Sequence, residues 1–240
     1  MKEIFNFCPA DIDQLTRWFK SRLDWHPYYP SCQSYAYNWA SGLDTDKSHF
    51  RKNDRYHFHQ WTFGDHISIL SFPVEPLILP ERIVSFIGME LVGLFAIDEG
   101  SFEVDMGLSL DPEIIESIWF LSSSRYNHDG ETILPEFDAL ETNTPGYPNQ
   151  MSISTILNYN PLKTFKVRKY DYAAFNGRHK YKTVITKSCI KLLIDNKPFY
   201  TTRRTNDSPL YPIIWSAVGD HQKGPNHVTQ TEIYHLRLFI

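Results

Sequence analysis

The sequence predicts an all-β protein, a β-sandwich of two antiparallel sheets with jelly-roll connections. From Asn53 onward it consists of short runs rich in Ile, Val, Phe, Tyr and Thr, separated by Gly, Pro, Asn and Asp. Helices do not alternate with these runs and nothing repeats at a fixed period, which argues against a parallel α/β sheet and a solenoid. With 240 residues, 42% of them apolar, the chain is long enough to bury one sizeable core.

The N-terminal segment differs from the rest because its pattern is helical. In PADIDQLTRWFKSRL, Pro9 suits a first helical turn. The apolar residues recur at three- and four-residue spacing, at Ile12, Leu15, Phe19 and Leu23. A helix over residues 9–23 is therefore expected, as a short extension of the sandwich.

The strands expected after this helix are bounded by turn residues. In chain order they include HISILSF, GSFEVDMGLS, SIWFLSS, PEFDALET, SISTILNY, YKTVIT, CIKLLID, YPIIWSAV and TEIYHLRLFI. Each run is rich in β-branched or aromatic residues, which favour the pleated surface of a sheet. Together they supply enough strands for two sheets.

Charge and cysteine content argue against several functions. The formal net charge is only −4, so neither nucleic acid nor an anionic membrane is an expected partner. Cys8, Cys32 and Cys189 are too widely spaced, and odd in number, for a disulfide framework or a metal site. No stretch reaches the roughly 18 apolar residues of a membrane span. The start MKEIFNFCPADIDQ lacks the apolar core of a secretory signal, so no export signal is expected.

Two other groups of residues have an ordinary interpretation. His57, His59 and His66 include a pair on one strand face that could bind zinc with a third ligand, but exposed or hydrogen-bonded histidines are favoured. Arg203 and Arg204 could bind the oxyanion of an acidic sugar. A solvated loop is the favoured interpretation of this pair.

Three carboxylates lie close together in LPEFDALETN, at Glu136, Asp138 and Glu141. Side chains alternate between the faces of a strand, so Glu136 and Asp138 share a face, whereas Glu141 faces the other way in a regular strand. A β-bulge at Ala139 or Leu140 adds one residue and returns Glu141 to the shared face. The sequence thus predicts three acids on one face, an arrangement that costs stability through like-charge repulsion.

Close carboxylates are what retaining glycoside hydrolysis requires. One ionised carboxylate acts as nucleophile, and a protonated one roughly 5 to 5.5 Å away acts as acid and then as base. Repulsion raises the pKa of one of two neighbouring carboxyls, so that it holds a proton near neutral pH while its partner is charged. The spacing alone leaves an alternative open, in which the acids are solvated residues on an exposed strand face.

The motif Glu-x-Asp-x-x-Glu on a strand between two apolar strands resembles the active-site signature of glycoside hydrolase family 16. Other segments resemble that family in the same order: SGLDTDKSHF, MELVGLFAIDEGSFEVDMGLSLDP, SIWFLSS, SISTILNY, HKYKTVITKSCIKLLIDNKPFY, YPIIWSAVGD and EIYHLRLF. The resemblance covers residues 38–240 and implies that they form a concanavalin A-like jelly-roll sandwich, the catalytic domain. Residues 1–37 would be an extension with one helix, packed on that domain.

The resemblance implies a role for each acid. Glu136 would be the nucleophile, Asp138 its helper, and Glu141 the general acid and base. It further implies a retaining, endo-acting glycoside hydrolase that cleaves a β-linked polysaccharide, either a β-glucan or a galactan. No cofactor is expected beyond a structural calcium ion, and the protein is expected to be a monomer.

Substrate-binding residues also follow from the resemblance. Trp119 would pack on a sugar ring, because the C–H face of a pyranose stacks on an aromatic face. A core position is the alternative for this residue. Tyr126, Trp215 and Asn158 would complete the set, with Asn158 in place of a histidine that the family often carries.

A second functional class is a non-catalytic, lectin-like carbohydrate-binding sandwich. It would keep the fold and lose the reaction, and fold resemblance alone does not separate the two. The intact set Glu136, Asp138 and Glu141 favours the enzyme, because a binding module gains nothing from three repelling charges.

Overall fold

The computed structural model describes residues 2–7, 19–22, 34–36, 61–63, 67–78, 83–93, 95–122, 136–143, 149–156, 165–204, 208–217, 227 and 229–240. Within these residues the chain forms sixteen strands and one short 3₁₀ helix, Tyr172–Phe175. The described segments contain no helix that is long and apolar enough to cross a membrane.

The strands follow one another along the chain with short connections in the C-terminal half. They are β1 (Glu3–Phe7), β2 (Phe19–Arg22), β3 (Ser34–Ala36), β4 (Trp61–Phe63), β5 (Ile67–Ile78), β6 (Ile83–Gly93), β7 (Gly100–Gly107), β8 (Ile115–Ser122), β9 (Glu136–Thr142), β10 (Gln150–Ile156), β11 (Phe165–Asp171), β12 (Arg178–Ile185), β13 (Cys189–Ile194), β14 (Lys197–Arg203), β15 (Leu210–Ala217) and β16 (Thr229–Phe239). Each of the nine runs predicted from the sequence overlaps one of these strands.

The hydrogen-bonded order of the strands is β11-β10-β9-β8-β15-β6-β5-β16-β7-β12-β13-β14. The first half of β5 pairs with β16 and its second half with β6, while the last residues of β6 pair with β15. The β5–β6 hairpin therefore links two sheets, one from β11 to β6 and the other from β5 to β14. Pairs along this order are antiparallel, and the short strand β3 adds a parallel pair with β6. The predicted sandwich of two antiparallel sheets is confirmed.

The core lies between the two sheets and is built from alternate residues of their strands. Phe102 of β7 packs edge to face on Phe120 of β8 in the other sheet, with ring centroids 6.2 Å apart. Phe120 in turn packs on Phe137 of β9, also at 6.2 Å. All three rings are buried, and burial of a Phe side chain contributes about 1.5–3 kcal/mol. Because Phe137 faces the core, its neighbours Glu136 and Asp138 face the opposite side of the sheet.

The helix predicted over residues 9–23 is wrong at its C-terminal end. Phe19–Arg22 form strand β2, which pairs antiparallel with β6. Residues 9–18 and Leu23 lie outside the described residues. A sheet edge offers unpaired backbone N–H and C=O groups, whereas a short helix is marginal unless its apolar face packs on something. Pairing with β6 therefore overrides the helical spacing of the apolar residues.

Strands from the first 37 residues join the sandwich sheets. β1 pairs antiparallel with β16, and β3 pairs parallel with β6. The N-terminal segment is thus hydrogen-bonded to the sandwich at three strands, counting β2. The division of the chain at residue 37 stays a prediction.

The outer face of the second sheet carries charges that are paired with one another. Asp105 of β7 receives two hydrogen bonds from the Arg178 guanidinium, at 2.7 Å each. Glu103 lies 3.6 to 3.8 Å from three basic nitrogens, those of Lys180, Lys182 and Arg237. Opposite charges on neighbouring strands stabilise this face of the sheet.

Candidate active site

Strand β9 contains a β-bulge beside the acids. On the β8 side, Leu140 pairs with Ile118 and Asp138 pairs with the next residue, Trp119. Ala139 therefore has no partner on β8. The two steps along β9 from Asp138 to Leu140 therefore lie opposite a single step along β8, from Trp119 to Ile118. This mismatch defines a β-bulge. The bulge predicted at Ala139 or Leu140 is present.

The bulge places the three acids on one face of the sheet. Their partners on β8 are alternate residues, Leu121, Trp119 and Ser117 for Glu136, Asp138 and Glu141 in turn. Their partners on β10 are also alternate residues, Ile156, Ser154 and Ser152. Directly paired side chains stand on the same face, so all three carboxylates share it. We call this surface, formed by the outward side chains of β8, β9, β10 and β15, the acid face.

Asp138 is the middle acid and is buried, with 4% of its surface exposed. The Ser154 hydroxyl donates a hydrogen bond to Asp138 Oδ2, and the Glu136 carboxyl forms another with Asp138. Burial raises the pKa of Asp138 above its ordinary value, although both hydrogen bonds act to lower it. Two carboxyls can share a hydrogen bond only when one is protonated, so Asp138 and Glu136 share a proton.

Glu141 is the acid of this set that holds its proton most tightly. Burial, and secondly the charge of Asp138, raises the pKa of Glu141 to about 8. No described side chain donates a hydrogen bond to its carboxyl that would favour the charged form. The same face thus contains a carboxyl that is protonated at neutral pH, next to a pair that shares a proton.

Two of the aromatic residues predicted to bind substrate lie on the acid face. Trp119 alternates with the core residues Ile118 and Phe120, so the core alternative for Trp119 is wrong. Trp215 pairs with Ser117, which places its ring on the same face. Both rings are half-buried, and both indole Nε1 atoms are buried without a hydrogen-bond partner among the described residues.

The electrostatics of the acid face differ from those of the opposite outer face. Glu103 and Asp105 are surrounded by Lys and Arg side chains. Neither Asp138 nor Glu141 owes its pKa shift to a basic side chain, and burial is the leading cause for both. Buried carboxyls that are not neutralised by cations are a feature of catalytic sites.

Glu116 is a buried acid that the sequence analysis did not identify. It lies on β8 but faces the core, and its Oε1 accepts hydrogen bonds from Thr231 Oγ1 and, at 2.8 Å, from the Ser109 N–H. Burial raises the pKa of Glu116 to about 7. Glu116 lies two positions before the core residue Ile118, so the alternation of side chains along a strand would have placed it on the core face. Glu116 is therefore separate from the acid face.

Five of the remaining predicted residues lie outside the described residues. They are Tyr126, Asn158, His57, His59 and His66. The substrate-binding predictions for Tyr126 and Asn158 therefore stay predictions.

Arg204 is not the solvated loop residue that the sequence suggested. Its guanidinium is buried and donates to the carbonyl oxygen of Asp98 at 2.5 Å and to that of Ser208 at 2.9 Å. A third hydrogen bond, 3.1 Å long, reaches the Asp98 carboxylate. These bonds tie the chain after β14 to the loop before β7, so Arg204 is a structural residue. Arg203 is exposed.

No group of three or more His, Cys, Asp and Glu side chains within the described segments could hold a metal ion. The structural calcium ion expected from the family resemblance stays a prediction.

Sequence comparison alone identifies no relative, because no family model and no curated protein matches the chain. Comparison of structures gives a clear result. LamA from Zobellia galactanivorans, in complex with laminaritriose and laminaritetraose, superposes with a TM-score of 0.70 at 15% identity, covering 100% of this chain and 99% of that one. The laminarinase catalytic domain from Thermotoga maritima gives a TM-score of 0.72 at 12% identity, covering 100% and 98%.

Porphyranase B from Zobellia galactanivorans gives a TM-score of 0.66 at 13% identity, covering 92% of this chain and 85% of that one. A non-specific endo-β-1,3(4)-glucanase described as a family GH16 enzyme gives 0.73 at 15% identity, covering 100% and 94%. At these identities the similarity defines the fold. The chain has the jelly-roll fold of glycoside hydrolase family 16.

Proposed function

We propose that this protein is a retaining, endo-acting glycoside hydrolase that cleaves a β-linked polysaccharide, a β-glucan or a galactan. The observation that carries the proposal is the bulge in β9, which brings Glu136, Asp138 and Glu141 to one face. A regular strand would turn Glu141 to the core, where it could not act with Glu136. Like-charge repulsion makes this arrangement costly, and catalysis supplies the reason for it.

The protonation order supports a distinct role for each acid. Glu141, with its pKa raised to about 8 by burial and by Asp138, is suited to give a proton to a leaving group. Glu136 shares a proton with Asp138, whose pKa burial also raises. When Asp138 holds that proton, Glu136 is ionised, as a nucleophile must be, and burial, the larger cause, still keeps the pKa of Glu141 raised. Ser154 fixes the position of Asp138 through its hydrogen bond.

The reaction proceeds in two displacements. In the first, the Glu136 carboxylate attacks the anomeric carbon, and Glu141 gives its proton to the glycosidic oxygen as the bond to the leaving sugar breaks. In the second, the Glu141 carboxylate takes a proton from water, and the hydroxyl formed attacks the anomeric carbon and releases Glu136. Both carboxyls return to their starting protonation states, and the product keeps the configuration of the substrate.

Substrate class is supported by the aromatic residues and by the similar structures. Trp119 and Trp215 offer half-buried rings on the acid face, beside the carboxyls, where a sugar ring can stack. The proteins with the same fold include laminarinases, a κ-carrageenase and a porphyranase, and several are bound to oligosaccharides. These enzymes act on both glucans and galactans, so the proposal names both.

The test is incubation with laminarin, mixed-linkage β-glucan, agarose, κ-carrageenan and porphyran, with products identified by mass. We expect one of these polymers to yield a ladder of short oligosaccharides, the pattern of an endo-acting enzyme. The same digest with Glu136→Ser should yield none. Polymer that is bound but never shortened would replace the hydrolase with the lectin-like binding module.

A further inference from the structure

Three polar side chains stand side by side on the acid face, and one of them is the predicted acid, Glu141. Ser117 of β8 pairs with Glu141 of β9 on one side and with Trp215 of β15 on the other. Paired residues on neighbouring strands have Cβ atoms about 4.5–5.5 Å apart, within hydrogen-bonding reach of their side chains. Ser117 therefore lies between the Trp215 ring and the Glu141 carboxyl.

Each of these three polar groups lacks a hydrogen-bond partner that one of its neighbours can supply. Trp215 Nε1 and Ser117 Oγ are buried and have no hydrogen-bond partner among the described residues. The Glu141 carboxyl receives no hydrogen bond from any described side chain. An indole N–H can only donate and a carboxylate can only accept, whereas a serine hydroxyl does both. Ser117 is the group of the three that can satisfy the other two at once.

Burial limits where these partners can come from. The oxygen of Ser117 and the indole nitrogen of Trp215 are shielded from the surface, although their residues line the acid face. A sugar bound on that face would reach the ring of Trp215 rather than its buried N–H. The neighbours along the row, which are paired with Ser117 on the two adjacent strands, are therefore its natural partners.

We propose that Ser117 is a positioning residue for Glu141, to which it donates a hydrogen bond once the carboxyl has lost its proton, while accepting one from the Trp215 N–H. The proposal rests on the function proposed above, in which Glu141 becomes ionised halfway through the reaction. Among the described residues, the charged group that acts on Glu141 is Asp138 of its own strand, and Glu136 lies beyond Asp138 on the same face. The described side chains of β8 and β10 that are paired with these acids carry no charge; they are Ser117, Trp119, Leu121, Ser152 and Ser154.

The relay Trp215 to Ser117 to Glu141 matters only for the charged form of the acid. A protonated Glu141 needs no donor, but a buried carboxylate without one is destabilised by desolvation. Asp138 adds repulsion to that form and cannot relieve it. Removal of the Ser117 hydroxyl should therefore make proton release from Glu141 harder and leave the protonated state unchanged.

The experiment is a carboxyl titration of the full chain by ¹³C NMR, with glutamate labelled at Cδ and the Glu141 signal assigned by its loss in Glu141→Gln. In Ser117→Ala and in Trp215→Phe we expect the acid dissociation constant of Glu141 to fall about tenfold. Ser117→Thr, which keeps a hydroxyl, should restore it. Ser101→Ala is the matched control, because Ser101 is equally buried and unpartnered but lies on β7 of the other sheet. An unchanged Glu141 midpoint in Ser117→Ala overturns the proposal.

A kinetic arm separates this inference from the proposed function. With whichever polymer the digest shows to be cleaved, Ser117→Ala should lower kcat about tenfold and move the alkaline limb of its pH profile to higher pH. Polymer cleavage by the wild-type protein together with an unmoved Glu141 midpoint refutes Ser117 as a positioning residue and leaves the hydrolase standing. Failure of the wild-type protein to cleave any polymer refutes the hydrolase and, with it, a catalytic role for Ser117.

Discussion

Asp138 and Glu141 face the same side of the sheet although three positions separate them along β9. Their partners on β10, Ser154 and Ser152, are only two positions apart, and the difference is the one bulged residue. The proximity has an electrical consequence, because the charge of Asp138 contributes to the raised pKa of Glu141. A local irregularity of the backbone thus adds to the effect of burial on the side chain that the proposed reaction needs as an acid.

Deletion of Ala139 should remove the bulge. Glu141 would then follow Asp138 by two positions in a regularly alternating strand, which keeps it on the acid face, so we expect the deletion variant to retain activity to within about tenfold. Ala139→Gly is the control, since it keeps the residue count and with it the register. Rates and thermal midpoints of both variants check this prediction. A loss of about 10²-fold or more in a folded deletion variant would contradict this expectation and would show that the geometry of the bulge itself positions Glu141.

Glu136→Ser should abolish turnover and leave the fold intact. The residue faces away from the core, so its truncation creates no internal cavity, whereas loss of a nucleophile lowers kcat on the order of 10⁴-fold or more. Glu99→Ser is a matched control, because Glu99 is an exposed carboxylate that pairs with Lys187 at 3.5 Å. Circular dichroism and initial rates on the cleaved polymer give the answer. A Glu136→Ser variant that retains the wild-type rate contradicts the assignment.

Glu141→Gln should affect substrates according to their leaving groups. General acid catalysis contributes about 10²–10⁴-fold, so hydrolysis of the natural polymer should fall by that factor. An aryl glycoside needs no proton on its leaving group, so its first step should be largely spared. The alkaline limb of the wild-type pH profile, set by loss of the Glu141 proton near pH 8, should vanish in the variant. Equal losses on both substrates, or a persisting limb, would remove Glu141 from the role of acid.

Glu116→Gln should change how stability depends on pH. The pKa of Glu116 is raised in the folded state from 4.5 to about 7, so the folded protein binds its proton more tightly than the unfolded chain. That stabilisation is complete below pH 4.5 and is lost as the pH rises through about 7, and the whole loss amounts to about 3 kcal/mol. The glutamine variant avoids the loss, because it cannot ionise.

Urea unfolding between pH 4 and pH 8 measures this effect. We expect the free energy of unfolding of Glu116→Gln to decline less steeply with pH than that of the wild type, by about 3 kcal/mol over the range. Some decline should remain, because the raised pKa values of Asp138 and Glu141 act in the same direction. Glu99→Gln, at an exposed site, should follow the wild-type curve. Parallel curves for Glu116→Gln and wild type would mean that Glu116 does not titrate in this window.

Much of the fold could be predicted because the sandwich strands alternate in a way that one sequence displays. Phe137 between Glu136 and Asp138 marks one core face and one outer face without any structure. The same parity rule locates the bulge, because Glu141 shares the acid face only if one residue is extra. The faces of a strand and the need for a bulge depend on residues that are close in the sequence, so the local pattern of apolar and polar residues predicts them.

Other features depend on contacts that are distant in the sequence. Phe19–Arg22 have helical spacing but form a strand because the edge of β6 is available to them. Strand β6 itself is mostly apolar, without a clear alternation, so period alone does not separate strand from helix there. Arg204 looked like a surface residue because its acceptors, in the loop at Asp98 and at Ser208, are brought to it only by the fold. The Ser154 hydroxyl that holds Asp138 was likewise invisible until β10 was placed beside β9.

The measurement that tests the central claim most directly is the configuration of the first product, read by ¹H NMR during digestion of the polymer that the protein cleaves. Two displacements, by Glu136 and then by water activated by Glu141, predict that the β-anomer appears first and that the α-anomer grows in only by mutarotation. Initial release of the α-anomer would mean a single displacement and would contradict the assignment of Glu136 as a nucleophile.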